Sequence, residues 1–209
     1  MKVELVNYTS DAVDLLLFTK NTRLMDDEDA YKQIASWPED AKQKELDYML
    51  QTIRSSWEFI DYTFNVREVS RGFTHQFVRT RQASYAQQSQ RTVDMFGFSY
   101  YTPDRIENNP EALETYDNAM ADIADAYQKL RDLVPAEDAR GILPTNIYTN
   151  IVAKFNLRTL SEMAKSRLSP RAQVFKLMVG EVVRVHPWAE PFLTPTEWAA
   201  PSMSKSLNK

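Results

Sequence analysis

The thirteen residues RTRQASYAQQSQR, Arg79 to Arg91, hold the densest set of side chains able to do chemistry in this chain. Arg79, Arg81 and Arg91 stand among serines and glutamines with few aliphatic neighbours. A guanidinium fork matches phosphate oxygens two at a time, and hydroxyls with backbone amides can complete an oxyanion cradle. The amides of Gln76, Gln87 and Gln88 suit the edge of a base, and Ser89 adds a hydroxyl. Arg79 and Arg81 are two residues apart, so neither a regular helix nor a strand makes both simple surface decoration. Three readings stand at this point: a solvated polar loop, a pocket for a nucleotide phosphate, or an RNA contact. Only Phe73, Phe77 and Tyr85 interleave as aromatics, which counts against a stacking platform for single strands.

A second island runs through ARGILPTNIYTN, Ala139 to Asn150, and on from Asn156 to Gln173. Arg140 either pairs with Glu137 or Asp138 or faces a ligand. Arg158 and Glu162 are four apart and make an ordinary helical ion pair. Arg167 falls at a helix end, where any cation is mildly favoured. His75 is either a satisfied polar residue beside a helix or a ligand contact, and His186, before Pro187 and Trp188, fits a helix terminus better than a base. Trp57, Phe59, Tyr62 and Phe64 read as core.

Composition narrows the chemistry further. The 209 residues contain no cysteine, which removes disulfides, thiolate metal sites and thiol nucleophiles. Two histidines leave almost nothing for a histidine-built metal site. The formal charge of −4 argues against general nucleic-acid affinity. The opening MKVELVNYTSD lacks a signal pattern and no stretch approaches 18 apolar residues, so a cytoplasmic, non-membrane protein is expected.

These residues need elements to position them. Val3, Leu5 and Val6 predict a first strand, and Ser10 or Asp11 opens a helix through Phe18. Pro38 opens a helix carrying Leu46, Met49, Leu50, Ile53 and Trp57 at helical spacing. Alternation at Tyr62, Phe64 and Val66 predicts a half-covered strand, and Phe96, Phe98 and Tyr100 another. Pro110 opens a helix from about Glu111 to Leu133, stopped by Pro135. Further helices fit Leu157–Arg167 and Ala172–Val185. The expectation is a single α+β domain over residues 1–195, mixed helices around a small sheet, with a polar, flexible tail at 196–209.

Taken together, the islands resemble the flavin-dependent thymidylate synthases. That family's signature is Arg-His-Arg, two residues, Ser, one residue, Asn, two residues, Ser, one residue, Arg. Here the frame is Arg79, Thr80, Arg81, Ser84, Ala86, Ser89 and Arg91, with every arginine and serine in place. Val69-Ser70-Arg71 and His75-Gln76 match before it. Ala139-Arg140, Leu143-Pro144, Tyr148-Thr149, Asn156, Arg158, Leu160, Arg167 and Ala172-Gln173 match after it.

The resemblance implies a homotetramer with interfacial active sites. FAD, reduced by NADPH, would support transfer of the methylene of methylenetetrahydrofolate to C5 of dUMP and its reduction to methyl, giving dTMP without an enzyme nucleophile. By the same resemblance Gln76, Arg79, Gln87, Gln88, Ser89, Arg91 and Arg140 would bind the nucleotide. Arg167 would lie against the uracil ring and stabilise charge developing there. Arg79, Thr80, Arg81, Gln87, Asn156, Arg158 and Glu162 would face the flavin. The departures cluster: the family's histidines are replaced at Ile53, Phe59 and Thr80, its asparagine at Ala86, the following acid at Gln87 and a tyrosine at Thr92, while Glu162 replaces Asn or His. Most fall on the flavin and folate side, whereas the nucleotide arginines survive. Two further readings therefore stand beside dTMP synthesis: a relative making another 5-substituted nucleotide such as 5-hydroxymethyl-dUMP, and a non-catalytic dUMP-binding homologue.

Overall fold

A computed structural model describes residues 1–52, 54–165 and 171–194. The expectations for Ile53, Arg167 and the tail at 196–209 lie outside the described residues. The chain groups into two compact units, Met1–Val3 with Asn65–Ala153, and Glu4–Phe64 with the described part of Lys154–Lys209. We call them the first and second units.

Mixed helices accompany a small antiparallel sheet of four strands. The strands are β1 (Lys2–Tyr8), β2 (Asp61–Ser70), β3 (Ala83–Gln87) and β4 (Tyr148–Asn156), in the order β1-β2-β4-β3. Alternation dictates the buried face: Tyr62, Phe64 and Val66 on β2, and Thr149, Ile151, Ala153 and Phe155 on β4. On β2 the alternation slips by one at Arg67 and Glu68, both exposed, before Val69 is buried again. Glu68 has φ of +58°, and its amide donates to Asn150 Oδ1 at 3.1 Å. One residue in a left-handed conformation thus resets the strand, as a β-bulge does.

The second unit carries most of the helices. They are α1 (Ala12–Lys20), α2 (Ala30–Ala35), α3 (Glu39–Gln51), α8 (Leu157–Lys165), α9 (Arg171–Val185) and α10 (Glu190–Leu193). Leu16, Leu17, Ile34, Met49, Leu157, Leu160 and Val182 are buried there. Lys42 is nearly buried, and its ammonium is answered by Asp14 at 2.7 Å and the Ala35 carbonyl at 2.9 Å. The helix from Pro38 ends at Gln51 and does not reach Trp57. Trp57 sits in a separate 3₁₀ turn, Ser55–Phe59, with its ring 4.8 Å edge-on from Phe192. Phe59 is not core as expected but 55% exposed.

The first unit contains α4 (Arg71–Phe77), α5 (Asp104–Glu107), α6 (Pro110–Arg131) and α7 (Ala136–Ala139). Helix α6 begins as its sequence signals require: Asn109 Oδ1 accepts from the Ala112 amide at 3.3 Å and proline occupies the first turn. Phe96, Phe98 and Tyr100 do not form the expected strand, and only Tyr100 bridges to Ile147. Gly97, at φ of +59°, turns the chain in the middle of that run and breaks its extended register.

Candidate active site

In the first unit the arginine segment is assembled by short elements joined end to end. Ser70 closes β2 and caps α4, its Oγ accepting from the Phe73 amide at 3.1 Å. The Arg71 and Gly72 amides donate to Ile147 O at 3.0 Å and Thr145 O at 2.7 Å, tying this corner to the 145–147 loop. A Cβ on Gly72 would meet the Thr145 carbonyl at 3.4 Å, so the close approach favours glycine. Helix α4 then exposes His75 and Gln76 and ends at Phe77.

Arg79, Thr80 and Arg81 form the turn between α4 and β3. The Tyr85 hydroxyl straps this turn, donating to the carbonyls of Thr80 at 2.9 Å and Phe77 at 3.1 Å. Burial pushes the Tyr85 phenol up to about 12, so it remains a donor across the useful pH range. The side chains of Gln76, Arg79 and Arg81 are exposed and have no side-chain hydrogen bond or ion pair among the described residues. The backbone of the turn is latched while its cationic side chains stand open to solvent.

Strand β3 fixes the glutamines. Gln87 Nε2 donates to Thr74 Oγ1 at 2.9 Å, while Gln88 accepts through Oε1 from Asn150 Nδ2 at 3.1 Å and donates its amide to Asn150 O at 2.9 Å. This leaves Gln88 Nε2 available. Ser89 Oγ accepts from the Arg91 amide at 3.1 Å. Gln90, not singled out by the sequence, is 8% exposed with an unpartnered Nε2 donor.

Arg91 and Arg140 meet through one residue. Arg91 pairs with the Glu137 carboxylate at 2.7 Å, and Arg140 Nε donates to the Glu137 carbonyl at 3.0 Å. Arg140 thus takes the backbone of its expected partner, while Arg91 takes the carboxylate. Both ends of the Arg91–Glu137 pair are about half exposed, 57% and 49%, where such pairs contribute about 0–1 kcal/mol. A dianionic ligand can displace it.

Arg71 belongs to the same corner. Burial lowers its pKa, and the positive charge of Arg140 lowers it further. Its guanidinium has no carboxylate partner among the described residues. Sequence inspection placed Arg71 in the matching run but gave it no role; its nearness to Arg140 depends on backbone bonds between distant segments.

In the second unit the expected residues are arranged differently. Asn156 Oδ1 accepts from the Thr159 amide at 2.8 Å and starts α8, leaving Nδ2 unspent. Arg158 makes the expected bond to Glu162 at 3.1 Å and a second, unforeseen one to Glu58 at 2.6 Å. The two carboxylates, Glu162 first, raise the Arg158 pKa above the usual arginine value. His186 lies just past α9, buried, with Nδ1 3.0 Å from the Tyr62 hydroxyl, and burial lowers its pKa. Among the described residues no cluster suits a metal ion, and no helix is long and apolar enough to cross a membrane.

Comparisons with known proteins bear on the fold and the family. A solved UMP/dUMP methylase, PolB from Streptomyces cacaoi with bound 5-Br dUMP, shares the fold at a TM-score of 0.73 and 20% identity. The match covers 91% of this chain and 93% of that one. A flavin-dependent thymidylate synthase from Sulfurisphaera tokodaii is 36% identical over 197 residues, 90% of this chain and 75% of that protein. One from Sulfolobus acidocaldarius is 34% identical over 204 residues, 90% of this chain and 74% of that protein. A third, from Nitratidesulfovibrio vulgaris, is 38% identical over 125 residues, and the match spans about half of its length (51%). The sequence pattern described as thymidylate synthase complementing protein matches residues 4–188. With a matching pattern over most of its length and relatives 34–36% identical across 90% of it, the chain belongs to the thymidylate synthase complementing protein family, that of the flavin-dependent thymidylate synthases.

Proposed function

We propose that this chain is an FAD-dependent thymidylate synthase, a methyltransferase-class enzyme converting dUMP to dTMP. Methylenetetrahydrofolate is the one-carbon donor, NADPH the reductant, and the working assembly a cytoplasmic homotetramer. The observation that carries the reading is the cationic corner of the first unit, where Arg91 pairs with the half-exposed Glu137 carboxylate and Arg140 holds the carbonyl of the same residue. The name of the Streptomyces methylase, a UMP/dUMP enzyme, supports a pyrimidine nucleotide as the ligand.

Arg91, Arg140 and Ser89 hold the phosphate. Gln76, Arg79, Gln87 through its Oε1 and Gln88 through its Nε2 orient the sugar and base. Arg167 is assigned to the uracil ring by the resemblance alone, as an electrostatic stabiliser that makes C5 nucleophilic. Fixing base and donor in one geometry removes much of the entropic barrier.

By the resemblance the flavin-facing residues are Arg79, Thr80, Arg81 and Gln87 of the first unit and Asn156, Arg158 and Glu162 of the second, each set taken by itself. Arg79 and Arg81 have unspent guanidinium donors and suit its anionic diphosphate, and Asn156 Nδ2 suits a ring carbonyl. Thr80 offers only a short hydroxyl, and Arg158 is already neutralised by Glu58 and Glu162. Bound flavin supplies the hydride that reduces the transferred methylene. Thr80→His is expected to tighten FAD severalfold in a flavin titration, and no gain would mean the pocket has been rebuilt.

A second reading is favoured by Phe59, half exposed where the family carries histidine and without a hydrogen-bonding group. Capture of the methylene by water in place of hydride would then give 5-hydroxymethyl-dUMP. Anaerobic spectra of the FAD-loaded protein through reduction and addition of dUMP and methylenetetrahydrofolate, with mass identification of the nucleotide, test both. Flavin reoxidation with dTMP supports the first, a product heavier by one oxygen supports the second, and dUMP binding with neither refutes both.

A further inference from the structure

We propose that Thr74 is a positioning residue that fixes which end of the Gln87 carboxamide faces the nucleotide, making position 87 a pure hydrogen-bond acceptor; this rests on the nucleotide reading above. All the residues involved lie in the first unit. Gln87 Nε2 donates to Thr74 Oγ1 at 2.9 Å and, more weakly, to Thr149 Oγ1 at 3.5 Å. Thr74 Oγ1 donates in turn to the Arg71 carbonyl at 3.0 Å, one turn back in α4. The relay runs in one direction, from amide to hydroxyl to carbonyl.

Burial enforces that direction. Thr74 is 0% exposed and Thr149 4%, so water cannot stand in for either partner. A hydroxyl has one proton, and that of Thr74 is committed to the Arg71 carbonyl, which leaves its oxygen able only to accept. Reversing the carboxamide would set Gln87 Oε1 against that oxygen with no proton between them, a buried mismatch. Oε1 is the end left over, with no donor among the described residues and not sealed from solvent. The carboxylate that the family's frame has at this position is the same at both oxygens. Only a carboxamide has an end to choose, so the glutamine and the threonine work as a pair. A pure acceptor selects a ligand that offers an O–H or N–H at this point, and a pyrimidine nucleotide has both, in a sugar hydroxyl and in the N3–H of a uracil ring.

The test is a double-mutant cycle on the full chain, with dUMP affinity read by isothermal titration. Thr74→Val keeps the shape and removes the hydroxyl; it should weaken dUMP about three- to tenfold, with Thr74→Ser recovering most of the loss. Gln87→Ala should weaken dUMP at least as much, and adding Thr74→Val to Gln87→Ala should cost nothing further. Additive losses mark Thr74 as merely structural and overturn the proposal, as does unchanged affinity in Thr74→Val. Titration of the same variants with 2′,3′-dideoxy-UMP names the donor: disappearance of the Thr74→Val effect assigns the sugar hydroxyl, and its persistence assigns the N3–H. A second measurement needs no variant that has lost the hydroxyl. In the unaltered protein carrying isotope-labelled glutamine, the Gln87 side-chain amide, identified by its loss in Gln87→Ala, should exchange with solvent far more slowly than that of an exposed glutamine. Exchange as fast as an exposed glutamine overturns the relay whatever dUMP does. A protected Gln87 amide in a protein that does not bind dUMP refutes the nucleotide reading and leaves the relay standing.

Discussion

The two units treat charge in opposite ways. In the first, Arg91 has one carboxylate, Glu137, Arg140 has only that residue's backbone carbonyl, and Arg71, Arg79 and Arg81 have no carboxylate among the described residues. In the second, Arg158 has two carboxylates for one guanidinium, Lys42 is met by Asp14, and His186 is kept neutral against Tyr62. The same residue type, arginine, therefore does different work. Where carboxylates are in excess the cation is satisfied by the fold and mainly joins elements. Where cations are in excess and exposed, water solvates them, and an anion can take its place.

The largest test of this contrast is Arg91→Ala. Charge-assisted hydrogen bonds contribute about 1.5–3 kcal/mol, so dUMP affinity should fall by about 10- to 150-fold. Retained affinity in a titration would remove the phosphate role. The second unit has its own signature in acid. Burial holds the His186 pKa below its ordinary value of 6.5, so below about pH 6.5 the unfolded chain binds a proton that the native chain does not. Thermal stability should therefore decline between pH 7 and 5, and His186→Gln should flatten that decline even if its absolute stability is lower. An unaltered slope would mean other groups control it.

Smaller effects sharpen the contrast. Glu137→Gln removes the competing carboxylate from Arg91, and dUMP should bind about two- to fivefold tighter, the scale of a surface ion pair. Weaker binding would show that Glu137 orients Arg91 and does not compete. Arg158→Ala is expected to leave dUMP affinity within twofold, and a large loss would erase the distinction between the two arginine sets.

Much of the fold was legible because periodicity reports one-sided burial. Leu16 and Leu17 in α1, Met120 and Tyr127 in α6, and the alternating Tyr62, Phe64 and Val66 are buried as their spacing requires. Strand β3 was not legible: Ser84 and Ala86 face out and Gln87 is only half buried, so no apolar alternation marks it. The run from Phe96 to Tyr100 misled in the other direction, since aromatic alternation continues through Gly97 although the backbone does not. In the site, the Arg79–Arg91 frame was readable from spacing. The second partner of Arg158 was not, because Glu58 lies 100 residues away. Nor was the tie of the Arg71 and Gly72 amides to the 145–147 loop, which joins residues more than 70 positions apart.

One phenol has a consequence for how the site moves. The Tyr85 hydroxyl proton is shared by the carbonyl of Phe77, at the end of α4, and that of Thr80, inside the arginine turn. The turn is thus closed by a latch separate from the sheet ladder, and it can open without strand separation. Amide hydrogen exchange at Thr80, whose own N–H donates to Phe77 O at 3.3 Å, would then proceed by a local opening whose frequency Tyr85 sets. In Tyr85→Phe that exchange would quicken while the amides of β2 and β4 kept their protection, making the presentation of Arg79 and Arg81 an adjustable rate in an otherwise slow-exchanging sheet.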